Sequence, residues 1–325
     1  VAAEEGKSER LKRDDRYGTS VAIAQYLYPN GADEAILARG EYEGEYADGL
    51  SASTLAGYLD APILLTKKDV LPQVVEQGLK DLKVSKVYIM GGNNAISPAV
   101  EKAVQKLGIK TERIYGDNRE GTAAQIARHV AKGGTLAPFA FIVNGSAPAD
   151  SLVAGTVAAK VHAPILQVKQ RQIPQETLDA LKDLGITQVY LVGGTSVISP
   201  QVENELKQRV TVLGRLSGSN RYETSLAVAQ TMFPLAENYT IVRGHDRNLA
   251  DAIGAALIGN PILYVNQPLH TKVEQFLDKH LSPYSVVKVI GGEAAISAAL
   301  VKSLDGKMKA TTLTQNDLQG GAKLE

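Results

Sequence analysis

The chain has 325 residues, 35 basic and 35 acidic side chains, no cysteine, and 44% hydrophobic composition. That length accommodates two or three globular domains, and the balanced charge excludes a broad electrostatic grip on nucleic acid or an acidic membrane. Without cysteine there are no disulfides, thiolate nucleophiles or cysteine metal sites, and no run approaches the roughly 18 apolar residues of a membrane span.

The chain opens on VAAEEGKSERLKRDD without an initiator Met, which reads as a start trimmed behind an export signal, and its closing Leu-Glu reads as a cloning scar. The charged leader 1–15 reads as a linker. Val21, Ala24, Leu27 and Tyr28 have helical spacing over 19–28, and EAILA (34–38) is a short apolar strand. Asp48 opens a helix rich in Gly, Ala and Ser that ends before Pro62, and PILLT follows as a second buried strand. Pro72 suits the first position of the next helix, whose Val75, Leu79 and Leu82 share one face. KVYIM is a third strand running into Gly91-Gly92, and Ser97-Pro98 cap and start another helix. KTERIYG supplies a fourth strand and leads onward.

The remainder of the chain runs through the same order of motifs twice more. Arg16, Arg119 and Arg221 lie 103 and 102 positions apart, each with a threonine three residues later (Thr19, Thr122, Thr224). Asp48, Asp150 and Asp251 recur in YADGLSAS, PADSLVAG and LADAIGAA. APILLT, APILQV and NPILYV come next, then VYIMGGNNAIS, VYLVGGTSVIS and VKVIGGEAAIS. A period near 100 matches a small domain rather than a solenoid repeat. Apolar strands alternating with helices indicate parallel sheets covered on both faces. The expected architecture is α/β, with three tandem Rossmann-like three-layer units over 16–115, 116–214 and 215–310 and a tail over 311–325.

Several chemistries fail on spacing. A dinucleotide site needs G-x-G-x-x-G between strand and helix, and GGNNAIS, GGTSVIS and GGEAAIS lack it. Their glycines read as tight turns at strand ends. The five histidines (His129, His162, His245, His270, His280) do not recur at equivalent repeat positions or form H-x-x-x-H pairs. The stretch around Ser146 is the nearest approach to a nucleophile elbow, and no base stands near it in sequence.

The recurring charges carry two readings. The aspartates can cap helices and the arginines can form ion pairs at domain joints, with those aspartates as candidate partners. Alternatively, both face the strand carboxyl ends where α/β sheets bind ligands, and a guanidinium there offers a planar fork to phosphate or carboxylate. The small-residue helices after each aspartate let backbones approach closely, either around a pseudo-threefold axis or against their own sheets.

DRYGTSVAIA, YADGLSASTLAG, APILLT and VYIMGGNNAIS resemble the type-2 cell-wall-binding repeat of Gram-positive surface proteins, over about Arg16 to Leu304. The resemblance implies a non-catalytic, extracellular wall anchor without cofactor or metal, folded as an intramolecular pseudo-trimer in a monomeric chain. Its implied partner is an anionic, teichoic-acid-like wall polymer, with no nucleic acid and no membrane span. The family's Arg maps onto Arg16, Arg119 and Arg221, and with Asp48, Asp150 and Asp251 these form the expected polymer-binding set. The copies differ: Glu120 stands where the others have Tyr, and Gln167 and Tyr264 stand where the first has Leu65. A structural or adhesive surface protein is the alternative, followed by a nucleotide-dependent enzyme.

Overall fold

A computed structural model of the chain describes residues 6–41 and 46–320, with side chains through 309. The opening and closing residues read as a trimmed start and a scar lie outside the described residues. In chain order, β1 (Lys7–Leu11) precedes unit one, which comprises α1 (Arg16–Leu27), β2 (Glu34–Arg39), α2 (Ala47–Leu59), β3 (Ile63–Thr66), α3 (Gln73–Asp81), β4 (Lys86–Met90), α4 (Pro98–Gln105) and β5 (Lys110–Ile114). Unit two repeats this as α5 (Arg119–Gly133), β6 (Phe139–Asn144), α6 (Pro148–Leu152), α7 (Gly155–Val161), β7 (Ile165–Val168), α8 (Gln175–Asp183), β8 (Gln188–Val192), α9 (Pro200–Lys207) and β9 (Thr211–Leu216). Unit three has α10 (Arg221–Met232), β10 (Tyr239–Arg243), α11 (Asp251–Ala255), β11 (Ile262–Val265), α12 (Thr271–His280), β12 (Val286–Ile290) and α13 (Ala298–Gly320).

The strands make three parallel sheets in the orders β3-β2-β4-β5, β7-β6-β8-β9 and β11-β10-β12-β1. The leader is therefore not merely a linker. Lys7–Leu11 pairs in parallel with Val286–Ile290 and completes the sheet of unit three. The physical reason is that, among the described residues, unit three has no fourth strand of its own after β12, and KSERL is the counterpart of KTERI and TVLGRL one period earlier. The chain thus closes on itself, first strand against last. The expected tail also differs, since α13 continues through Gly320 rather than ending near 310.

Each unit starts the same way. Asp15, Asn118 and Asn220 cap α1, α5 and α10 by accepting from the amides of Gly18, Gly121 and Glu223. The recurring threonines accept from the joint before each helix: Thr19 from Arg13 N, Thr122 from Gly116 N and Thr224 from Gly218 N, at 3.0–3.2 Å. Outer helices such as α3 bury one stripe, Val75 and Leu79.

The helix after Asp48 behaves differently. It has no polar stripe, and every residue from Gly49 to Ala56 is buried. It packs on α7 and on the turn Ala256–Ile258 of unit three. The small-residue helices therefore meet around a central axis, one from each unit. At Gly57 a side chain would fall on the Ala159 carbonyl, and at Gly155 a Cβ would come within 2.8 Å of Ser53 Oγ. Polar groups in the contact are matched across units: Thr54 Oγ1 donates to Ala163 O at 2.7 Å and Ser51 Oγ to Ile165 O at 3.1 Å. Gln167 Nε2 donates to Ala47 O and Ser51 Oγ, and Tyr264 Oη donates to Ala149 O at 2.7 Å. The departures from APILLT thus sit in unit–unit contacts, each fitted to its own neighbour.

Gly57→Ala forces the axial helices apart and lowers stability by about 2 kcal/mol or more, the cost of overpacking a close backbone contact. Urea denaturation of the two proteins checks this. An unchanged midpoint contradicts the close approach.

Candidate functional site

Parallel α/β sheets bind ligands beyond the carboxyl ends of their strands, where the strand order reverses. In these units that point lies between β2 and β4, β6 and β8, and β10 and β12. The glycine pairs after β4, β8 and β12 turn there, with Gly91, Gly193 and Gly291 at φ +102°, +125° and +106°. A side chain at any of them would meet the carboxylate of Asp48, Asp150 or Asp251 respectively. The three aspartates are therefore lodged at the switch points. They occupy first turns of helices rather than capping positions, and the residues at the caps, Tyr46, Ala147 and Ala250, make no side-chain cap.

Two of the arginines reach across unit boundaries. Arg16 of unit one donates to Gly40 O and Tyr46 Oη, both at 2.7 Å, and to Arg247 O of unit three at 3.0 Å. Its charge also favours the ionised form of Asp251 in unit three. Arg221 of unit three donates to Gly244 O and Asp246 Oδ1, both at 2.7 Å, and its charge acts on Asp150 of unit two. Arg16 thus acts electrostatically on Asp251, and Arg221 on Asp150, across unit boundaries. Arg119 is placed otherwise: its described hydrogen bond, 3.3 Å long, goes to Ser146 Oγ in its own unit.

Burial dominates the carboxylates at these seams. Asp251 is 8% exposed, and desolvation pushes its pKa up to about 7 against the opposing pull of Arg16. Desolvation also raises Asp150, opposed by a hydrogen bond from Thr224 and by Arg221.

Two adjacent cavities open on this face. One of about 960 Å³ lies at the seam of units two and three, where Arg221, Asp246 and Arg247 face the Ser146–Asp150 loop and Tyr46 of unit one closes one side. The second, about 650 Å³, is the switch-point crevice of unit two, bounded by Arg119, Glu120, Gly145 and Lys169. The two share Ser146, Ala147, Ser196 and Val197, so they lie side by side on this face.

A second set of arginines is not apparent from the recurring motifs. Arg113 donates to Gly91 O and Ile96 O at 2.8–2.9 Å, Arg215 to Gly193 O and Ile198 O at 3.0 Å, and Arg10 to Gly291 O and Ile296 O at 2.8 Å. Each comes from a fourth strand and ties down the glycine turn that supports the aspartate. The signal is present in KSERL, KTERI and TVLGRL, which repeat at the same period. Among the described residues no three or more His, Asp or Glu side chains are grouped to hold a metal, and no helix is long and apolar enough to cross a membrane.

The model of the family described as cell wall binding domain 2 (CWB2) matches residues 10–101, 113–203 and 215–301. The chain is 32% identical, over 96% of its length, to N-acetylmuramoyl-L-alanine amidase LytC of Bacillus subtilis, and 28% identical over 91% to the amidase enhancer of that organism. It spans 61% and 40% of those two proteins. Among solved structures, Cwp8 from Clostridium difficile superposes with a TM-score of 0.81 at 28% identity, covering 94% of this chain and 52% of that one. Cwp6 from the same organism shares the fold with a TM-score of 0.83 at 24% identity, covering 94% and 48%.

The buried Asp251 gives stability a pH dependence with a defined sign. Its folded pKa lies above the ordinary carboxylate value, so protonation favours the folded state. That contribution is fully present below about pH 4 and is lost as the pH rises through about 7. Between pH 5 and pH 8 the loss amounts to roughly 2–3 kcal/mol, read as a falling urea midpoint, and Asp251→Asn flattens it. An equal fall in the variant contradicts the assignment.

Proposed function

The chain belongs to the cell wall binding domain 2 family, and from that premise we propose that it is a non-catalytic anchor binding an anionic, teichoic-acid-like wall polymer on the outer side of the cell. The observation that carries this reading is the pair of adjoining cavities beyond the strand carboxyl ends, one lined by Arg119 and Lys169 and the other by Arg221 and Arg247. Guanidinium groups spaced over adjoining cavities suit a repeating anionic chain better than a single compact ligand. The chain's net charge is +0, so attraction is local to these cavities and does not come from the protein as a whole. Three units fixed in one body also present several weak contacts to one polymer. Linked contacts of this kind raise avidity by about 10²–10⁴ over a single contact.

The six recurring charges divide the work in this reading. Arg16, Asp251, Arg221 and Asp150 mainly hold the seams, Asp48 supports the Gly91 turn, and Arg119 turns toward the ligand. Arg221 also lines the cavity at the seam of units two and three, so it serves both roles.

Purified Gram-positive walls provide the test. The protein is retained on walls carrying their anionic polymer and released after the polymer is extracted, and raising salt toward about 1 M, where screening shortens to about 3 Å, weakens retention. Equal retention before and after extraction refutes the proposal. Arg119→Ala lowers retention with an unchanged melting temperature. Arg16→Ala lowers stability by roughly 1–3 kcal/mol, because it leaves Asp251 buried without its counter-charge; thermal melts of both variants separate these roles.

A further inference from the structure

The outer helix pair of unit three departs from its two counterparts. The helices α1, α5 and α10 each begin at the recurring arginine, and α3, α8 and α12 pack beside them. The sixth residues of the paired helices meet: in unit one a Cβ at Gly78 would come within 2.9 Å of Val21. Unit two has Ala124 and Ala180 at these positions, and unit three has Leu226 and Phe276. Small residues let a helix pair close tightly, whereas a leucine and a phenylalanine hold the axes apart. A cavity of about 460 Å³ opens over those two side chains, lined by Glu223 and Gln230 of α10 and by Lys272, Lys279 and His280 of α12.

The charges across the pair are changed as well. In unit two Arg128, the tenth residue of α5, donates to Asp183, the ninth of α8, at 3.2 Å, so an ion pair spans the two helices. Unit one also has an aspartate at that place, Asp81, but unit three has Lys279, and Gln230 stands where Arg128 stood. Neither Lys279 nor Gln230 makes a hydrogen bond or ion pair among the described residues. The neighbouring charges are engaged. Glu274 and Asp278 hold Lys307 of α13 at 3.3 and 2.6 Å, and Lys272 holds Glu223 at 2.6 Å. Lys279 thus faces the cavity as a cation whose carboxylate the repeat has withdrawn. His280 adds an acceptor. Its ring stacks on Phe276 with 4.0 Å between centres, and its Nδ1 carries the proton donated to Phe276 O at 2.9 Å. Nε2 keeps its lone pair and has no described partner.

We propose that this groove docks an acidic segment of a partner protein, which supplies to unit three the carboxylate that Asp183 supplies within unit two. The carboxylate pairs with Lys279 and Gln230, and an amide of the same segment donates to His280 Nε2. The groove follows Glu223–Gln230 and Lys272–His280, about 12 Å of helix, which a few extended residues span. Apolar side chains of the segment cover the edges of Leu226, Ala227 and Phe276 at its base. A phosphate polymer offers Lys279 an anion and has nothing for that base. The groove uses none of the recurring arginines, so it stands whether or not the wall-anchor reading does.

The probe is a fluorescein-labelled acidic peptide, EELLEELLEE, titrated against the full chain by fluorescence anisotropy. Wild type binds it and does not bind the same peptide with lysine in place of glutamate. Lys279→Gln weakens binding, and Lys279→Asp weakens it by at least about tenfold, because attraction gives way to repulsion. Gln230→Arg combined with Lys279→Asp rebuilds the ion pair of unit two. This double variant loses the peptide and keeps its melting temperature, which separates a lost site from a lost fold. No binding by wild type, or equal binding by wild type and the double variant, overturns the proposal. A loss of wall retention in Lys279→Asp as large as that in Arg119→Ala also overturns it, by assigning the groove to the wall polymer.

Discussion

The helix after Asp48 cannot be solvated on any side, and much of the architecture depends on that. A helix on the surface of a lone domain carries an apolar stripe and a polar face; α2 is buried without interruption from Gly49 to Ala56. One sheet can cover only one flank of it. The other flanks are covered by α7 and by Ala256–Ile258, and the approach is close enough that Gly57 has no room for a side chain. The hydroxyls of Ser51 and Thr54 find their acceptors in unit two rather than in their own unit. The three units are therefore parts of one core, and a hydrophobic cluster runs continuously from the sheet of unit one into the axial helices of the other two.

With the axis shared, the chain must close, and it does so through β1 on β12. The seams then bring each unit's leading helix to a neighbour, which is how Arg16 comes to act on Asp251 and Arg221 on Asp150. These charges lie at the switch points where open α/β sheets ordinarily receive ligands. Much of what looks like a repeated binding motif is thus engaged in holding the body together. The arginines of the fourth strands serve the same end by fixing the glycine turns.

The triplication, the three parallel α/β units, the glycine turns and the axial helices were all legible in the sequence, because hydrophobic period, small-residue content and internal repetition survive without coordinates. The strand in the leader was not. Taking Arg16 as the start of a unit severed KSERL from its counterparts, and its apolar content is too low to mark it as a strand; only pairing with β12 makes it one. The action of Arg16 on Asp251 across units was hidden for a related reason, since the two are separated by most of the chain. Gln167 and Tyr264 looked like drift from Leu65. They are fitted to different neighbours, Ala47 and Ser51 in one case and Ala149 in the other, and a linear repeat gives no sign of which neighbour each copy will meet.

A fixed body is what lets unequal copies act together. If the axial helices bind the units into one core, the adjoining cavities over units two and three keep a constant shape. Calorimetry tests that claim most directly. The intact chain should unfold in a single transition whose calorimetric and van't Hoff enthalpies agree. Two or three separable transitions, or a calorimetric enthalpy well above the van't Hoff value, would show the units to be independent domains and contradict the shared core.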